Sequence, residues 1–430
     1  MTAFTADRAT ALPGPAWLRA RRAAAAERFA SSPLPISDDE LWRYTPIKDL
    51  DLDAYAPAPA SSGGWSGSSP FADVVHGRAG LVVLVDGRLA TVELSDAAVS
   101  AGVTVAAAAD GDEDPGLLEV PDRDALGDLH DAFVADVVTI TVPRGAVVEQ
   151  PVVVVQAASG AGVASFAHLV VEAGEASEIT VLDHWTSDGA GAAFVSPVVE
   201  LRSGAAANLR YVQVQDLGPD TWSTGHLLVR PGRDATTKVW LAALGGRYAR
   251  LYVDAQLAEQ AATAEIAGVY FGEDDQIHDF RSQQDHRATR TRSDFLLKGA
   301  VVDDAHAVYT GMIRVHEGAK STESFLANRN LVLSDGAHVD SVPNLEIVNE
   351  NDIKSCGHAA ATGPVDEEHV FYLESRGVPT EAAQRLIVYG FFDDVVRGVP
   401  VPEVREPLRA AISQKLDKAG SAGREGAGDA

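Results

Sequence analysis

Two stretches of the chain, Ala173-Gly174-Glu175-Ala176-Ser177-Glu178-Ile179-Thr180-Val181-Leu182 and Ser203-Gly204-Ala205-Ala206-Ala207-Asn208-Leu209-Arg210-Tyr211-Val212-Gln213-Val214, follow one plan. Each opens on a glycine turn among small residues and passes into a β run. Arg144-Gly145-Ala146, Glu317-Gly318-Ala319 and Asp335-Gly336-Ala337 repeat the turn, about 30 residues apart early in the chain and about 18 apart later. Leu81 to Val85, Val137 to Val142, Val152 to Val155, Lys238 to Leu241 and Leu251 to Val253 are further β runs, and hardly a long helix is expected from about 80 to 350. Turns of this kind between β runs predict a solenoid whose coils stack strand on strand. Glycine is expected because the corner needs backbone angles that side chains resist. A β-sandwich or barrel is the rival reading and favours two-residue hairpins. Asn-Gly is absent, but Asp86-Gly87 and Asp335-Gly336 could each close one.

Outward from this core the texture becomes helical. Trp17 to Phe29 has helix-forming composition, and Ser37-Asp38-Asp39-Glu40 has the form of a capping box opening a short helix. Pro57 to Ser69 reads as a linker. Past the core, Asp366 is placed to cap a helix through Val370, Phe371 and Leu373 that stops near Gly377. Pro379-Thr380-Glu381 opens a second helix carrying Leu386, Ile387, Phe391, Val395 and Val396. Pro402 opens a third with Val404, Leu408 and Ile412. The organisation read from these shifts is a helical region with linker over 1–75, a β core over 76–363, a helical domain over 364–418 and a disordered tail over 419–430.

Of 430 residues, 46% are hydrophobic and 23% charged, ordinary for a folded domain. No apolar run approaches the roughly 18 to 20 residues that cross a bilayer, so no membrane partner is expected. Arg19, Arg21 and Arg22 beside an alanine run faintly suggest a transit peptide; Asp7 and Glu27 flank the run, and a surface helix is the reading taken. With 35 basic against 62 acidic residues the net charge is −27, a field that repels phosphate backbones and argues against nucleic acid as a partner. Cys356 is the only cysteine, which rules out an intrachain disulfide and fits a reducing cytoplasm. One thiolate cannot hold an iron–sulfur cluster, which takes about four cysteine ligands.

Several motifs fail on inspection. In Gly318-Ala319-Lys320-Ser321-Thr322 an alanine parts Gly from Lys, and no glycine stands five before Gly318, so the amides of a phosphate loop are missing. Gly160-Ala161-Gly162 and Gly189-Ala190-Gly191 lack a third glycine and a helix. Asp303-Asp304 and Asp393-Asp394 are read as solvated surface, since neighbours on a strand face opposite ways. His278, Asp279, Asp285 and His286 would suit a structural metal or, more plainly, a hydrogen-bonded turn. The informative segment is Asn351-Asp352-Ile353-Lys354-Ser355-Cys356-Gly357-His358. On a strand Cys356 and His358 share a face, and thiolate with imidazole suits iron or zinc. The pair could equally be a nucleophile with its base, or a buried cysteine beside a turn histidine.

A wider set of motifs resembles a known family. Lys298-Gly299, Tyr309-Thr310-Gly311-Met312-Ile313-Arg314-Val315, Asn328-Arg329-Asn330-Leu331-Val332-Leu333-Ser334 and Pro343-Asn344-Leu345-Glu346-Ile347 occur in the order found in the SufB/SufD family. Ser355-Cys356-Gly357-His358-Ala359 and Phe371-Tyr372-Leu373-Glu374-Ser375-Arg376-Gly377 continue the match, which runs from about 270 to 398. Trp42-Arg43-Tyr44-Thr45-Pro46 and the lack of further cysteines place the chain nearer SufD than SufB, the alternative being a SufB-like scaffold. The usual Ala-Gln-Lys-Thr run appears here as Ala319-Lys320-Ser321-Thr322.

The resemblance implies a mainly β chain, a right-handed parallel β-helix flanked by N- and C-terminal helical regions. It implies a non-catalytic scaffold of the SUF iron–sulfur cluster assembly complex, built with one SufB-like subunit and two SufC-like ATPases that dock on the C-terminal helices. His358 matches the SufD histidine implicated in cluster assembly at the SufB interface. Cys356 matches a neighbouring position that is not always cysteine. No cofactor is expected to stay bound; iron or a nascent cluster is held transiently and shared with SufB. A homodimer of the isolated chain is left open. Two rivals remain. A β-helix polysaccharide lyase or hydrolase would need clustered acids and bases and usually a secretion signal, which is missing. A Cys–His hydrolase would need a reactive Cys356.

Overall fold

Every β run named above lies in a strand, and the strands fall alternately into two sheets that wind up the chain as a parallel β-solenoid of about eight turns. The rival sandwich reading is not realised. The computed structural model describes residues 3–59, 65, 67–111, 113–120, 124–187, 191–348 and 352–425. Gly189, Ala190, Asn351, part of the expected linker and 426–430 lie outside the described residues. The helices are α1 (Ala6–Thr10), α2 (Ala16–Ser31), α3 (Asp96–Ser100), α4 (Ala125–Phe133), α5 (Glu367–Ser375), α6 (Thr380–Gly398) and α7 (Pro402–Glu425).

The first sheet runs from Thr104–Ala107 through Asp136–Val142, Ala167–Ala173, Val198–Ser203, Trp222–Pro231, Tyr248–Leu257, Ile277–His286 and His306–Val315 to His338–Ile347. The second runs from Arg88–Leu94 through Gly80–Val85, Val152–Ala158, Glu178–Ser187, Asn208–Asp216, Thr236–Ala243, Thr263–Gly272, Arg292–Val301 and Glu323–Val332 to Ser355–Gly363. Trp222 pairs with Tyr248, Tyr248 with Ile277 and Ile277 with His306, so a coil here takes 26 to 29 residues. The expected shortening to about 18 does not occur. Gly318 stands at a corner from the first sheet to the second, whereas Gly336 stands at a corner leading back, so that interval is part of a coil. For the same reason Asp335-Gly336 closes no hairpin. Asp86-Gly87 does, with φ of 51° and 79°, joining Gly80–Val85 to Arg88–Leu94 antiparallel.

The corners correct the expected role of glycine. Gly174, Gly204 and Gly232 do not carry the left-handed turn; Ala176, Ala206 and Asp234, two residues later, do, with φ of 55°, 57° and 58°. The glycines are needed for closeness instead. A Cβ on Gly204 would stand 2.7 Å from the backbone nitrogen of Glu175, and one on Gly232 would stand 2.6 Å from the carbonyl of Ser203, each in the coil below. Of the five glycine turns quoted from the sequence, Gly145 and Gly318, with φ of 72° and 89°, serve the backbone angle as expected.

Inward side chains such as Val181, Leu209, Val239, Ile266 and Phe295 form one continuous core. Outward residues of the second sheet, Leu182, Val212, Val214 and Phe271 among them, pack under α6 and α7 through Phe392, Val395, Val404 and Leu408. The first sheet is covered by the N-terminal region and α4, with Phe29, Trp42, Leu129 and Phe133 against Phe166, Phe194 and Tyr248. Burial on both faces is why these strands read as unbroken apolar runs. The helix over Trp17 to Phe29 forms, as α2, and buries the Arg22 guanidinium on the carbonyls of Val134 (2.9 Å) and Ala135 (2.9 Å). The expected capping box does not form. Ser37 Oγ donates to the Thr45 carbonyl (3.2 Å), and only the short 3-10 turn Glu40–Trp42 follows, because Trp42 is drawn beneath the Arg250 guanidinium at 3.8 Å. Helix α4, buried throughout, interrupts a region read as β; Asp124 caps it at Leu126 (2.9 Å) and Gly127 (3.1 Å).

The two ends of the solenoid differ. At one end Arg88–Leu94 and Thr104–Ala107 run antiparallel to their neighbours, and Ala98 and Val103 at α3 plug the core. At the other end the last strands, His338–Ile347 and Ser355–Gly363, run parallel to the coils; like Arg88–Leu94 and Thr104–Ala107, each has, among the described residues, an outer edge with no strand beside it. There the C-terminal helices follow as expected: Asp366 caps α5 at Glu368 N (2.8 Å), Gly377 takes φ 88°, and α6 and α7 begin beside Pro379 and at Pro402. Helix α7 continues past 419 to Glu425. Among the described residues no helix is long and apolar enough to cross a membrane.

Candidate functional site

In a parallel stack each side chain lies over its counterpart in the coil below, so the register assigns Cys356 and His358 to columns. One column runs Val152, Val181, Tyr211, Val239, Ile266, Phe295, Leu326, and ends on His358. The first seven are buried, and His358 is exposed because, among the described residues, no strand stacks on it. Cys356 ends the adjacent inward column, above Thr237, Ala264, Ser293 and Ser324. The strand thus brings both residues to the inward face of the last coil.

Their settings differ. Cys356 is half-buried against the core, and burial pushes its thiol up from the ordinary value, so it is protonated at neutral pH. Beneath it a chain of hydroxyls leads inward: Ser324 Oγ lies 2.7 Å from Ser293 Oγ, which lies 2.8 Å from His286 Nε2. Two asparagines hold the last coil in place. Tyr270 Oη donates to Asn330 Oδ1 (2.6 Å), Asn330 Nδ2 donates to Thr362 Oγ1 (3.1 Å), and Ser341 Oγ donates to Asn328 Oδ1 (2.8 Å). Thr362 and Ser341 belong to the last strand of each sheet, so one buried network fixes both. Gly299 is part of it, since a Cβ there would fall 1.8 Å from the Tyr270 ring.

The other acidic and histidine groups part company. Alternation sends His278 and His286 inward and Asp279 and Asp285 outward, and the two imidazoles stand eight residues apart, about 26 Å along the strand. His286 is satisfied by Thr291 Oγ1 and Ser293 Oγ, both at 2.8 Å, which is the hydrogen-bonded alternative. Asp279 accepts from Tyr248 (2.8 Å), Arg250 (3.2 Å) and Arg281 (2.8 Å). Asp303 is a left-handed corner residue, not part of a strand. Asp394 is exposed, as expected, and from α6 it also accepts from Lys298 Nζ at 2.8 Å, tying that helix to the second sheet. Ser321, in the rejected phosphate-loop segment, is another left-handed corner.

Comparison with known proteins agrees with this architecture. The family profile described as SUF system FeS cluster assembly, SufBD core domain, matches residues 154–391. The chain belongs to the SufB/SufD family. It is 33% identical over 394 residues to an iron–sulfur cluster assembly SufBD family protein of Mycobacterium tuberculosis, covering 89% of this chain and 90% of that one. Iron–sulfur cluster assembly protein SufD of Escherichia coli is 27% identical over 388 residues, covering 89% of each chain. SufD of Bacillus subtilis is 28% identical over 298 residues, covering 69% of this chain and 68% of its own. Within the family the chain is most like SufD, and membership supports a role in iron–sulfur cluster assembly.

Proposed function

We propose that this chain is a non-catalytic, cytoplasmic scaffold subunit of an SUF complex, acting where it meets a SufB-like partner. The observation that supports this most is His358, an exposed imidazole ending a column of buried apolar side chains at the open end of the solenoid. A free pair of strand edges is a ready surface for strand addition, and a partner paired there would place His358 between the two chains. A neutral imidazole can take iron without releasing a proton. Cys356 must first lose one, which makes it the secondary ligand. Neither residue completes a cluster's ligand set, so the partner supplies the remainder and the cluster is shared cargo.

The C-terminal helices suit an ATPase partner. Helix α5 buries none of its residues and presents Phe371 (71% exposed) and Tyr372 (56%). A SufC-like subunit on each scaffold chain gives two per complex. Their approach on binding ATP would pull on α5 to α7, and the Lys298–Asp394 contact carries that pull into the second sheet. Without partners, the same open edge can accept a second copy of this chain.

Co-expression with SufB-like and SufC-like subunits tests the reading. One copy of this chain, one SufB-like chain and two ATPases are expected by native mass measurement. In that complex His358→Ala is expected to leave the stoichiometry intact and abolish the visible absorbance of a reconstituted cluster. A chain that purifies alone, or a cluster yield untouched by His358→Ala, overturns it.

A further inference from the structure

A second group of metal-binding side chains lies on the opposite sheet, facing outward. His306 pairs in register with His338 on the last strand of the first sheet, and Asp340 follows two residues on, so the three side chains share a face. His306 Nε2 donates to Asp340 Oδ2 at 2.8 Å, His338 Nε2 lies 3.5 Å from the same oxygen, and the imidazole centroids are 5.2 Å apart. The ligand atoms of all three lie within 4.8 Å of one another.

We infer that His306, His338 and Asp340 form a binding site for a first-row divalent transition metal ion. Two imidazoles with one carboxylate are a donor set that suits Fe2+ or Zn2+ and leaves coordination positions open. Bonds of about 2.0 to 2.1 Å put neighbouring ligands of one ion about 3 Å apart, close to the 2.8 and 3.5 Å found around Asp340. The two histidines need only a small approach to meet the same ion. The group is also reachable. The N-terminal region covers this sheet as far as the preceding strand, where Arg281 donates to the Arg43 carbonyl (3.3 Å), while the His338 side chain is 68% exposed. The net charge of −27 favours cations near such a surface. The alternative occupant of the space is a hydrogen bond alone, with Asp340 serving both imidazoles.

The site stands apart from His358 and does not depend on the proposed role at that residue. Its test is anaerobic titration of the full chain with Fe2+, and separately with Zn2+, followed by calorimetry. One ion is expected to bind at this site, with its affinity falling at least tenfold in His338→Ala and in Asp340→Asn. His358→Ala and Cys356→Ala are expected to leave that affinity unchanged. Because His338 is exposed, its replacement should not disturb folding, which circular dichroism melting checks. A wild-type chain that takes up neither ion, or an affinity left unchanged by His338→Ala when measured in the His358→Ala, Cys356→Ala background, overturns the assignment.

Discussion

At the scale of the residue, His358 occupies a slot that seven coils fill with apolar side chains. If its purpose is chemical, His358→Leu should complete the column. Thermal melting of that variant is expected to match or slightly exceed the parent, while cluster formation in the complex falls at least tenfold. A variant that melts well below the parent would make the histidine a structural part instead. That Cys356 and His358 share a face was legible from strand alternation. Their inward aim was not, because it depends on which residue of the coil below each one covers. The same blindness joined His278, Asp279, Asp285 and His286 into one cluster, although alternation separates them. It also hid His306 and His338, whose separation of one coil is the only sign that they meet.

At the scale of the element, the corners allow a paired test. Gly204→Ala drives a Cβ into the backbone of the preceding coil and is expected to cost about 1 to 3 kcal/mol. Ala206→Gly relieves a left-handed alanine that costs about 1 to 2 kcal/mol, against an entropic loss of about 0.5 to 1. Urea denaturation should therefore show opposite shifts in midpoint two residues apart. Asn330→Ala removes a buried partner of Tyr270 and Thr362 and is expected to cost about 1 to 3 kcal/mol, with faster hydrogen exchange confined to the last coil. The sequence marked these turns by their glycines because glycine is the conspicuous letter; the alanines that bend the chain are silent in composition. Helix α4 escaped notice because its nine residues, all buried, lie among β runs, although Asp124 is a legible cap.

At the scale of the whole molecule, buried imidazoles set the response to acid. Burial lowers His184 to about 4, His278 to about 3 and His286 to about 4 from an ordinary 6.5. These groups stay neutral in the fold while the unfolded chain takes up protons, so stability is lost as pH falls below about 6.5 toward 4. Asp183, raised by burial to about 6, works in the other direction between about 6 and its ordinary 3.8. At pH 5 each histidine removes about 2 kcal/mol and Asp183 returns about 1. The melting temperature is therefore expected to drop between pH 7 and pH 5, and His286→Gln should weaken that slope. A flat profile would contradict the burial of these groups. The helical flanks and the winding core were legible as changes of texture along the chain. That the two ends of the winding differ was not, since this depends on two short strands reversing direction at the start.

That reversal limits growth. A fibre needs a unit that is adhesive at both poles, so that each arrival offers a fresh landing place. Here Arg88–Leu94 and Thr104–Ala107 run antiparallel to the coils, and Ala98 and Val103 beside α3 plug the core, so the two poles are unlike. Two copies that join like to like through the pole of His338–Ile347 and Ser355–Gly363 both use it up, and polymerisation by this route stops at two.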